Sequence, residues 1–412
     1  MRYDVVIVGA GHAGAHAATE LRKAGFAGSI LMMDAGSEWP HERPPLSKEY
    51  LAGEKTFERL MFRPTSFWNE QQIAFLPGAV VSGVDANAKM VSLSDGKRVD
   101  YGTLVWAAGG HARKLACEGS ELEGILSIRR ASDTDQIIKS IERGAKRVVV
   151  IGGGYIGLEA AATLSGLGCE TTVIEATSRL LGRVTCEPIS RFYEQQHRAR
   201  GVDVRLNSSV ARIEGAAGRA DRVILSSGEA LEADLVIAGI GILPTIEPLV
   251  HAGAASDNGV IVNERCETSL PDIFAIGDCA ARLNCWSGST YIRMESIHSA
   301  TEMARIAALA ICEAPIPPPG IPWFWSNQFD LRLQTLGIFN DFDDQVMRGN
   351  PMKRSFSVVY LKDRRVIAMD CINATRDFAQ GRLLVGKNAE VDPARLVDPK
   401  VPLKEVARSV TS

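Results

Sequence analysis

The sequence lacks the features that mark several large classes of protein. None of its eight cysteines forms a CxxC pair, and its apolar runs stop at about nine residues, roughly half the length that a membrane-spanning helix needs. No basic run exceeds two residues, and the net charge of −3 gives no general attraction to nucleic acid or to anionic membranes. These absences argue against membrane insertion and nucleic-acid binding, and they indicate reduced, mostly buried thiols.

The N-terminus also has no long apolar segment of the kind found in secretion signals. What remains is ordinary for a globular protein: 412 residues, of which 46% are hydrophobic and 23% are charged. That length predicts roughly two to four domains of about 100 to 200 residues each. We therefore expect a multidomain cytoplasmic protein.

One pattern occurs twice in the chain. Residues 148–161 repeat the pattern of residues 5–18, in which four β-branched apolar residues precede GxGxxG and an alanine-rich stretch. The apolar residues predict a strand buried on both faces, and the alanine-rich stretch predicts a helix. Each copy leads to a second apolar strand that ends in an acid, Asp34 or Glu175, about 20 residues past the glycines. The pattern is typical of a Rossmann unit, so the sequence predicts two dinucleotide sites.

Each glycine of the motif has a physical purpose. The first permits a tight turn, the second lets backbone N–H groups approach a pyrophosphate, and the third lets the helix pack close to the strand. Two dinucleotide sites in one chain indicate a flavin and a nicotinamide, because hydride transfer needs a donor and an acceptor held face to face. The predicted glycines are Gly9, Gly11 and Gly14 in the first copy and Gly152, Gly154 and Gly157 in the second.

Further motifs follow the first glycine loop. They are RPPLSK at 43–48, LVWAAGG at 104–110, GIGILP at 239–244, TSLPDIFAIGD at 268–278 and PWFWSNQ at 322–328. With the glycine motifs, they resemble the two-dinucleotide-binding flavoprotein reductases, and within them the NADH-dependent ferredoxin reductases that serve bacterial P450s and aromatic ring-hydroxylating dioxygenases. The resemblance covers nearly the whole chain. It departs at Ala108, where the family usually has Thr, and at Asn327, where the motif WSDQ is common.

The resemblance implies an α/β fold with two Rossmann-like dinucleotide-binding domains, as in glutathione reductase, and a C-terminal α+β domain. A discontinuous FAD-binding domain would comprise residues 1–111 and 245–319, with an NAD-binding domain of residues 112–244 inserted in it. The proline-rich stretch 315–322 breaks any helix and marks a boundary. Residues 320–412 would form the C-terminal domain, which covers the flavin and contributes to the partner surface.

Two residues are expected to carry the chemistry. The resemblance places Lys48 beside the flavin, paired with Glu159, where its charge would stabilise negative charge on the reduced ring. Taken alone, Lys48 would be a solvated lysine on a loop and Glu159 an exposed helix residue. A charge among the apolar residues of the second glycine helix is unfavourable unless it has a partner, and the resemblance implies that Glu159 contacts either Lys48 or the nicotinamide amide.

The resemblance also implies which residues contact the cofactors. Asp278 would accept a hydrogen bond from the flavin ribityl chain; taken alone it would cap a helix that begins at Cys279, and both roles can hold at once. Glu175 would accept hydrogen bonds from the adenosine ribose and repel a 2′-phosphate, so NADH is the expected donor. Glu295 would belong to the flavin shell or to an internal ion pair with Arg293. The FAD set is Gly9, Gly11, Gly14, Asp34, Arg43, Lys48, Val81, Ala108, Arg113, Gly277, Asp278, Glu295 and Trp325, and the NAD set is Gly152, Gly154, Tyr155, Ile156, Gly157, Glu159, Glu175, Arg183 and Gly241.

The missing cysteines also bear on the reaction. Disulfide reductases of this architecture need a redox cysteine pair beside the flavin, and peroxide-handling NADH oxidases need one cysteine there; the sequence has neither. Electrons must then leave the reduced flavin directly, and the resemblance implies an acidic [2Fe-2S] ferredoxin as the acceptor. Residues 320–412 carry 14 Lys and Arg against 11 Asp and Glu, a weak signal for attraction of such a partner. The candidate docking cations are Arg332, Lys353, Arg354, Arg364 and Arg365.

Two alternatives stay open at this point. Rubredoxin reductases and monodehydroascorbate reductases share the fold and differ in the acceptor. A flavin-binding signalling protein without enzymatic function also has this fold, but such proteins usually carry targeting or basic segments that this sequence lacks.

Overall fold

The chain folds into two sheets with parallel cores and flanking helices, followed by an antiparallel sheet with its own helices. A computed structural model describes residues 1–286, 288 and 290–406. The predicted fold class, two Rossmann-like units and a C-terminal α+β unit, is confirmed.

The first sheet is built mainly from the N-terminal segment. That segment contains β1 (Arg2–Val8), α1 (His12–Lys23), β2 (Ile30–Met33), α2 (Thr65–Glu70), β3 (Ile73–Leu76), β4 (Val81–Asp85), β5 (Met90–Leu93) and β6 (Arg98–Trp106), with short 3-10 turns at Pro44–Ser47 and Phe57–Arg59. The strand order is β3-β2-β1-β6-β5-β4, and β1 pairs in parallel with β2 and β6. Val5, Val6 and Ile7 of β1 are fully buried, as their β-branched run predicts for a strand covered on both faces.

The second sheet is built from the middle segment. Its elements are β7 (Gly110–Ala112), β8 (Ile125–Leu126), α3 (Ala131–Glu142), β9 (Arg147–Ile151), α4 (Tyr155–Gly166), β10 (Glu170–Ile174), α5 (Glu187–Ala199), β11 (Asp203–Arg205), β12 (Val210–Ala216), β13 (Arg219–Leu225), β14 (Ala230–Glu232), β15 (Leu235–Ala238) and β16 (Ile242–Pro244). The parallel order is β11-β10-β9-β15-β8, while β12, β13 and β14 form an antiparallel meander. Strands β7 and β16 lead into and out of the segment and pair with each other.

The chain then returns to the first sheet. This segment contains α6 (Glu247–His251), β17 (Ser256–Asp257), β18 (Gly259–Val262), β19 (Ile273–Ala275), a 3-10 turn (Gly277–Cys279), β20 (Ala280–Leu283), β21 (Tyr291–Ile292) and α7 (Ile297–Ile311). Strand β19 pairs in parallel with β6, and α7 packs against α1. A late segment thus completes the first unit. The exact domain boundaries stay predictions, although the paired β7 and β16 lie beside two of them.

The C-terminal unit is an antiparallel sheet covered by helices. It contains β22 (Trp323–Gln328), β23 (Leu331–Gly337), β24 (Asp344–Asn350), β25 (Ser355–Lys362), β26 (Arg365–Ile372), α8 (Thr375–Gly386) and α9 (Pro393–Val397), with 3-10 turns at Pro351–Lys353 and Leu403–Glu405. The strand order is β22-β23-β26-β25-β24. Within the described part of the chain, no helix is both long and apolar enough to cross a bilayer.

The C-terminal sheet is anchored on the middle segment by buried contacts. The rings of Phe192 and Phe356 meet with centroids 5.0 Å apart. Thr185 Oγ1 and Tyr360 OH donate hydrogen bonds to Asp370 Oδ2, at 2.5 and 2.6 Å. Burial raises the pKa of Asp370 to about 6, because a charge there has lost its hydration. The interface is therefore part of the protein core, and it fixes the C-terminal sheet beside the second unit.

The third glycine of each motif lies where the helix crosses its strand. A Cβ on Gly14 would lie 1.8 Å from the Gly9 carbonyl oxygen, and a Cβ on Gly157 would lie 2.1 Å from the Gly152 carbonyl oxygen. Both oxygens belong to the glycine loop and move only if the loop moves. A side chain at either position would therefore push the helix away from the strand.

We expect Gly157→Ala to lower the free energy of unfolding by about 3 kcal/mol, because its methyl group overlaps backbone. Gly166→Ala is the matched control, since it lies in the last turn of the same helix with nothing within 4 Å of its Cβ position. The control should be neutral or should stabilise by up to about 1 kcal/mol. Urea unfolding followed by circular dichroism measures both, and equal stability of the two variants would contradict the packing argument.

Candidate functional site

Two glycine loops open onto one cavity. They follow β1 and β9 at the carboxyl ends of the parallel strands, where α/β sheets bind their ligands. Gly9 and Gly152 have φ angles of 103° and 110°, a region that residues with a Cβ rarely adopt. A Cβ at either position would also meet a backbone carbonyl oxygen from the end of the neighbouring strand, that of Ala107 at 2.3 Å from a Cβ on Gly9 and that of Gly239 at 2.4 Å from a Cβ on Gly152. Glycine is therefore required at both turns.

The helices that follow these loops begin without a side-chain cap. Their N-cap residues are Gly11 for α1 and Gly154 for α4, and neither first turn contains an acidic residue. The first N–H groups of each helix can therefore bind a ligand, and the helix dipole makes the potential there positive. No heavy atom lies within 4 Å of the Cβ position of Gly154. Both helix ends fit the pyrophosphate of a dinucleotide.

Asp34 and Glu175 hold equivalent positions beside the two loops. Asp34 Oδ2 accepts a hydrogen bond from the N–H of Ala10 at 2.6 Å, and Glu175 Oε2 accepts one from the N–H of Gly153 at 2.8 Å. Thr177 donates its N–H and its hydroxyl to Glu175 Oε1. Each carboxylate is thus fixed beside its glycine loop, and its remaining lone pairs can accept hydrogen bonds from ribose hydroxyls.

The cavity between the loops has a volume of about 790 Å³ and adjoins a second cavity of about 480 Å³. Both fall within the size range of small-molecule sites. The predicted site residues that line the larger cavity are Gly9, Gly11, Asp34, Arg43, Lys48, Ala108, Asp278, Glu295 and Trp325 from the FAD set, and Gly154, Tyr155, Ile156, Glu159, Glu175, Arg183 and Gly241 from the NAD set. Val81 lines the smaller cavity.

Some predicted site residues line neither cavity. Gly14 and Gly157 lie behind the loops, where the helices cross the strands, and Gly152 and Gly277 form turns with positive φ. These glycines shape the site through the backbone. Arg113 is exposed on the surface, and the structure does not bring it to either cavity.

A cluster of cations faces the N-terminus of α1. The Arg43 guanidinium lies 3.6 Å from the Cβ position of Gly11. Burial, with the charge of Arg129 beside it, lowers the pKa of Arg43 to about 10. Burial and the charge of Arg43 lower the pKa of His12 to about 3. Positive charges held together in this way are stabilised by a bound anion, so the cluster fits the diphosphate of FAD.

Lys48 and Glu159 form an ion pair in the cavity wall. Lys48 Nζ lies 2.6 Å from Glu159 Oε2, and the side chains are only 13% and 4% exposed. Lys48 directly follows the proline-containing turn Pro44–Ser47, and Glu159 lies near the start of α4. Ser47 Oγ also donates to Glu159 Oε2, and Ser326 Oγ donates to Oε1. The structure thus brings the two predicted catalytic residues together, and their role in catalysis stays a prediction.

Aromatic side chains of β22 form another part of the wall. Phe324 and Trp325 line the larger cavity. The Tyr155 ring packs against Phe324 with centroids 4.6 Å apart, and Trp325 stacks on Trp323 at 5.3 Å. Flat apolar rings of this kind suit contact with a planar aromatic ligand.

The structure also decides two structural alternatives from the sequence. Asp278 does not cap a helix, because its 3-10 turn runs directly into strand β20; that expectation was wrong. Asp278 Oδ2 instead lies 3.7 Å from Arg129 Nη2. Arg293 does pair with Glu295, with Nη1 and Oε1 2.7 Å apart, and Glu295 lines the cavity as well.

Sequence reasoning missed several residues that complete the site. Ser47 and Ser326 lie within recognised motifs, RPPLSK and PWFWSNQ, so a close reading of those motifs could have found them. Arg129 and Thr177 line the cavity but belong to no motif that the sequence analysis identified. No local signal marks Arg129, because only the tertiary fold brings it to the cavity, whereas Thr177 lies two residues after Glu175 and donates hydrogen bonds to it.

Comparisons with known proteins agree with this geometry. Residues 3–304 match the profile of the family described as pyridine nucleotide-disulphide oxidoreductase, and residues 323–407 match the profile described as reductase C-terminal. A ferredoxin–NAD(P)+ reductase of Sphingomonas sp. is 50% identical over 403 residues, which cover 98% of this chain and 97% of that protein. The ferredoxin reductase subunit of a 5,5′-dehydrodivanillate O-demethylase from Sphingobium sp. is 47% identical over 405 residues, which cover 98% of each chain.

A solved structure also matches along the whole chain. The crystal structure of the covalent putidaredoxin reductase–putidaredoxin complex matches with a TM-score of 0.94 and 38% identity, over 98% of this chain and 98% of that chain. The first family profile covers most of the sequence, and the relatives cover nearly all of it. The chain therefore belongs to the pyridine nucleotide-disulphide oxidoreductase family, in its group of FAD-dependent ferredoxin reductases, as the sequence resemblance predicted.

Proposed function

We propose that this protein takes hydride from NADH through FAD and passes single electrons to a [2Fe-2S] ferredoxin that supplies an oxygenase in the cytoplasm. One observation carries the proposal: both glycine loops open onto the same cavity, with the buried Lys48–Glu159 pair in its wall. None of the eight cysteines lines either cavity. With no thiol at the site, direct transfer to an external acceptor is favoured over disulfide or peroxide chemistry.

The residues present fit both cofactors. The uncapped start of α1, with Arg43 and Arg129, would hold the FAD pyrophosphate, and the uncapped start of α4 would hold that of NADH. When bound, FAD accepts an electron pair as hydride and releases electrons one at a time. The proposed domains are residues 1–111 with 245–319 for FAD, 112–244 for NADH and 320–412 as the cover and partner surface.

Lys48 would stabilise the negative charge that the flavin gains when it is reduced. A fixed ammonium in a site with little water interacts with nearby negative charge far more strongly than it does in solution. Glu159 holds this ammonium in the wall, while Glu175 would orient the adenosine ribose. The chain thus separates the residues that choose the coenzyme from those that would stabilise the reduced flavin.

The purified protein should be yellow, and NADH added without oxygen should bleach its FAD much faster than NADPH does. Oxidised putidaredoxin, as one of a panel of [2Fe-2S] ferredoxins, should then restore the flavin spectrum. Oxidised rubredoxin in the same assay tests the alternative acceptor. A colourless protein that cannot be reconstituted with FAD would overturn the proposal.

Glu175 should set the choice of coenzyme. Glu175→Ala removes a ribose acceptor. The transition-state stabilisation with NADH, calculated from the ratio of the kcat/KM values, should therefore fall by about 1 to 3 kcal/mol. NADPH should lose less or improve, because the repulsion of its 2′-phosphate is gone and Arg183 lines the same cavity. Glu175→Gln keeps the size and an acceptor but not the charge, which separates repulsion from hydrogen bonding. Steady-state kinetics with both coenzymes measures this, and unchanged kinetics would show that Glu175 does not contact the ribose.

The candidate docking cations lie at opposite ends of the C-terminal sheet. Strand register places Arg332 beside the β22–β23 turn, and Lys353 and Arg354 in the adjacent β24–β25 turn. Arg364 and Arg365 belong to the β25–β26 turn at the far end. The structure therefore divides the predicted set into two groups.

The two ends differ in charge. We call Arg200, Arg332, Lys353 and Arg354 the basic end. Asp330 pairs there with both Arg200 and Arg354, at 2.6 Å each, which leaves a surplus of positive charge. The far end carries Asp341, Asp343, Asp344 and Asp363 beside Lys362, Arg364 and Arg365, so its positive charge is cancelled. An acidic ferredoxin should therefore dock at the basic end.

Replacing Arg332, Lys353 and Arg354 together by Ala should raise the apparent KM for ferredoxin by about tenfold and flatten its dependence on salt. NADH–ferricyanide activity should not change, because a small inorganic acceptor needs no docking surface. The matched control replaces the three cations of the far end, Lys362, Arg364 and Arg365, by Ala, and its ferredoxin KM should stay near that of the parent. Equal effects of the two variants, or a parallel loss of ferricyanide activity, would contradict docking at the basic end.

A further inference from the structure

The Glu159 carboxylate accepts more hydrogen bonds than Lys48 alone supplies. Its Oε2 accepts from Lys48 Nζ and Ser47 Oγ, each at 2.6 Å, and its Oε1 accepts from Ser326 Oγ at 2.7 Å. Ser47 and Ser326 are 1% and 0% exposed, so the two serine contacts are closed to solvent. The N-terminal segment thus holds one carboxylate oxygen, and the C-terminal sheet holds the other.

A chain of buried polar side chains continues behind Ser326. Gln328 Nε2 donates to Ser326 Oγ at 3.2 Å, and Gln328 Oε1 lies 2.9 Å from His197 Nε2. Because the Gln328 carbonyl oxygen can only accept, His197 carries a proton on Nε2. Burial lowers the pKa of His197 to about 4, so the ring is neutral at neutral pH. Gln328 and His197 are both fully buried.

Every hydrogen bond in this row of buried side chains is donated in the direction of Glu159. His197 donates to Gln328, and Gln328 donates to Ser326. Gln328 Nε2 is a donor, so the Ser326 hydroxyl can only accept from it. The Ser326 hydroxyl proton is then donated to Glu159 Oε1. An amide side chain does not relay protons at neutral pH. Gln328 and His197 therefore orient the Ser326 hydroxyl and do not conduct protons.

The alternation of side chains along β22 explains which residues of the WSNQ segment (325–328) belong to this row of hydrogen bonds. Ser326 and Gln328 are two residues apart in a strand and therefore share a face. Both are fully buried, whereas Asn327 between them belongs to the other face and is only partly buried. The departure from WSDQ at Asn327 thus leaves the contacts to Glu159 intact.

We propose that Ser326 is a positioning residue for the Lys48–Glu159 pair, and that Gln328 and His197 keep its hydroxyl in the donating direction. Without Ser326, a buried Glu159 oxygen would lose its partner, and the carboxylate would turn about its last bond and draw Lys48 with it. The inference rests on the proposed function, because it assigns this contact to the reduction of FAD by NADH. It makes the C-terminal sheet part of the hydride site as well as its cover.

The test compares Ser326→Ala with a matched control, Ser357→Ala. Ser357 is also fully buried in the same sheet and donates to a carboxylate, Asp377, at 3.1 Å, but neither residue lines the cavities. Stopped-flow measurements give the limiting rate of FAD reduction and the Kd for NADH, and a dye-linked titration gives the midpoint potential of the bound FAD. Ser326→Ala should lower the limiting rate by about tenfold, change the Kd for NADH by less than about twofold, and shift the potential in the same direction as Glu159→Gln. Ser357→Ala should change none of the three.

A double-mutant cycle separates positioning from a general structural effect. In the Glu159→Gln background, Ser326→Ala should cause no further change in rate or potential, whereas additive effects would overturn the proposal. Ser326→Cys keeps a weaker donor and should give an intermediate rate, and it takes the place of Ser326→Ala if that variant does not retain FAD. If NADH fails to reduce the parent protein, the proposed function fails. If the parent is reduced and Ser326→Ala behaves like Ser357→Ala, only this inference fails.

Discussion

The buried carboxylate of Glu159 imposes a condition that three parts of the chain must meet together. An ionised carboxylate inside a protein is costly unless cations and hydrogen-bond donors surround it. Its donors are Ser47 and Lys48 from the N-terminal segment and Ser326 from the C-terminal sheet. Thr163 of the same helix, α4, donates to the Ser47 carbonyl oxygen at 2.9 Å and so fixes the turn that carries two of these donors. The charge is stabilised only when both segments close on α4, so assembly of the three parts also completes the cavity wall.

The cations around α1 present the opposite situation. The Glu159 charge is satisfied within the protein, whereas Arg43 and Arg129 repel each other, and the carboxylates of Asp34 and Asp278 offset that repulsion only in part. His12 adds no charge at neutral pH, because burial and the charge of Arg43 lower its pKa to about 3. A bound diphosphate would relieve the remaining repulsion, and binding of this kind to the folded state alone stabilises it. A bound anion would therefore stabilise the first unit, while the ion pair in the wall has its partners within the protein.

Features that depend on local backbone geometry could be predicted from the sequence. The strand, turn and helix of each glycine unit follow from β-branched runs and from turns that only glycine adopts, such as Gly9 at φ 103°. The contact of Lys48 with Glu159 came from the family resemblance, together with the rule that a charge among apolar residues needs a partner. Contacts between distant segments without a motif were missed, as with Arg129, because nothing in the local sequence records them. The helix cap expected at Asp278 was wrong for the same reason: β20 forms by pairing with β18, a contact that the neighbouring residues do not indicate.

The position of the site at the edge of the C-terminal sheet has a physical reason. Strand β22 is an edge strand of that sheet, and an edge with unpaired backbone groups must be covered. Helices α4 and α7 pack against it, and α4 is the helix that carries Glu159. Along this one strand, Trp325 faces the cavity and Ser326 holds the carboxylate, while the turn that follows carries Asp330 at the basic end. Helix α4 covers the edge of β22, and β22 in turn supplies Ser326 as a donor to the Glu159 carboxylate. The cavity wall and the proposed docking surface therefore lie on the same strand and the turn that follows it.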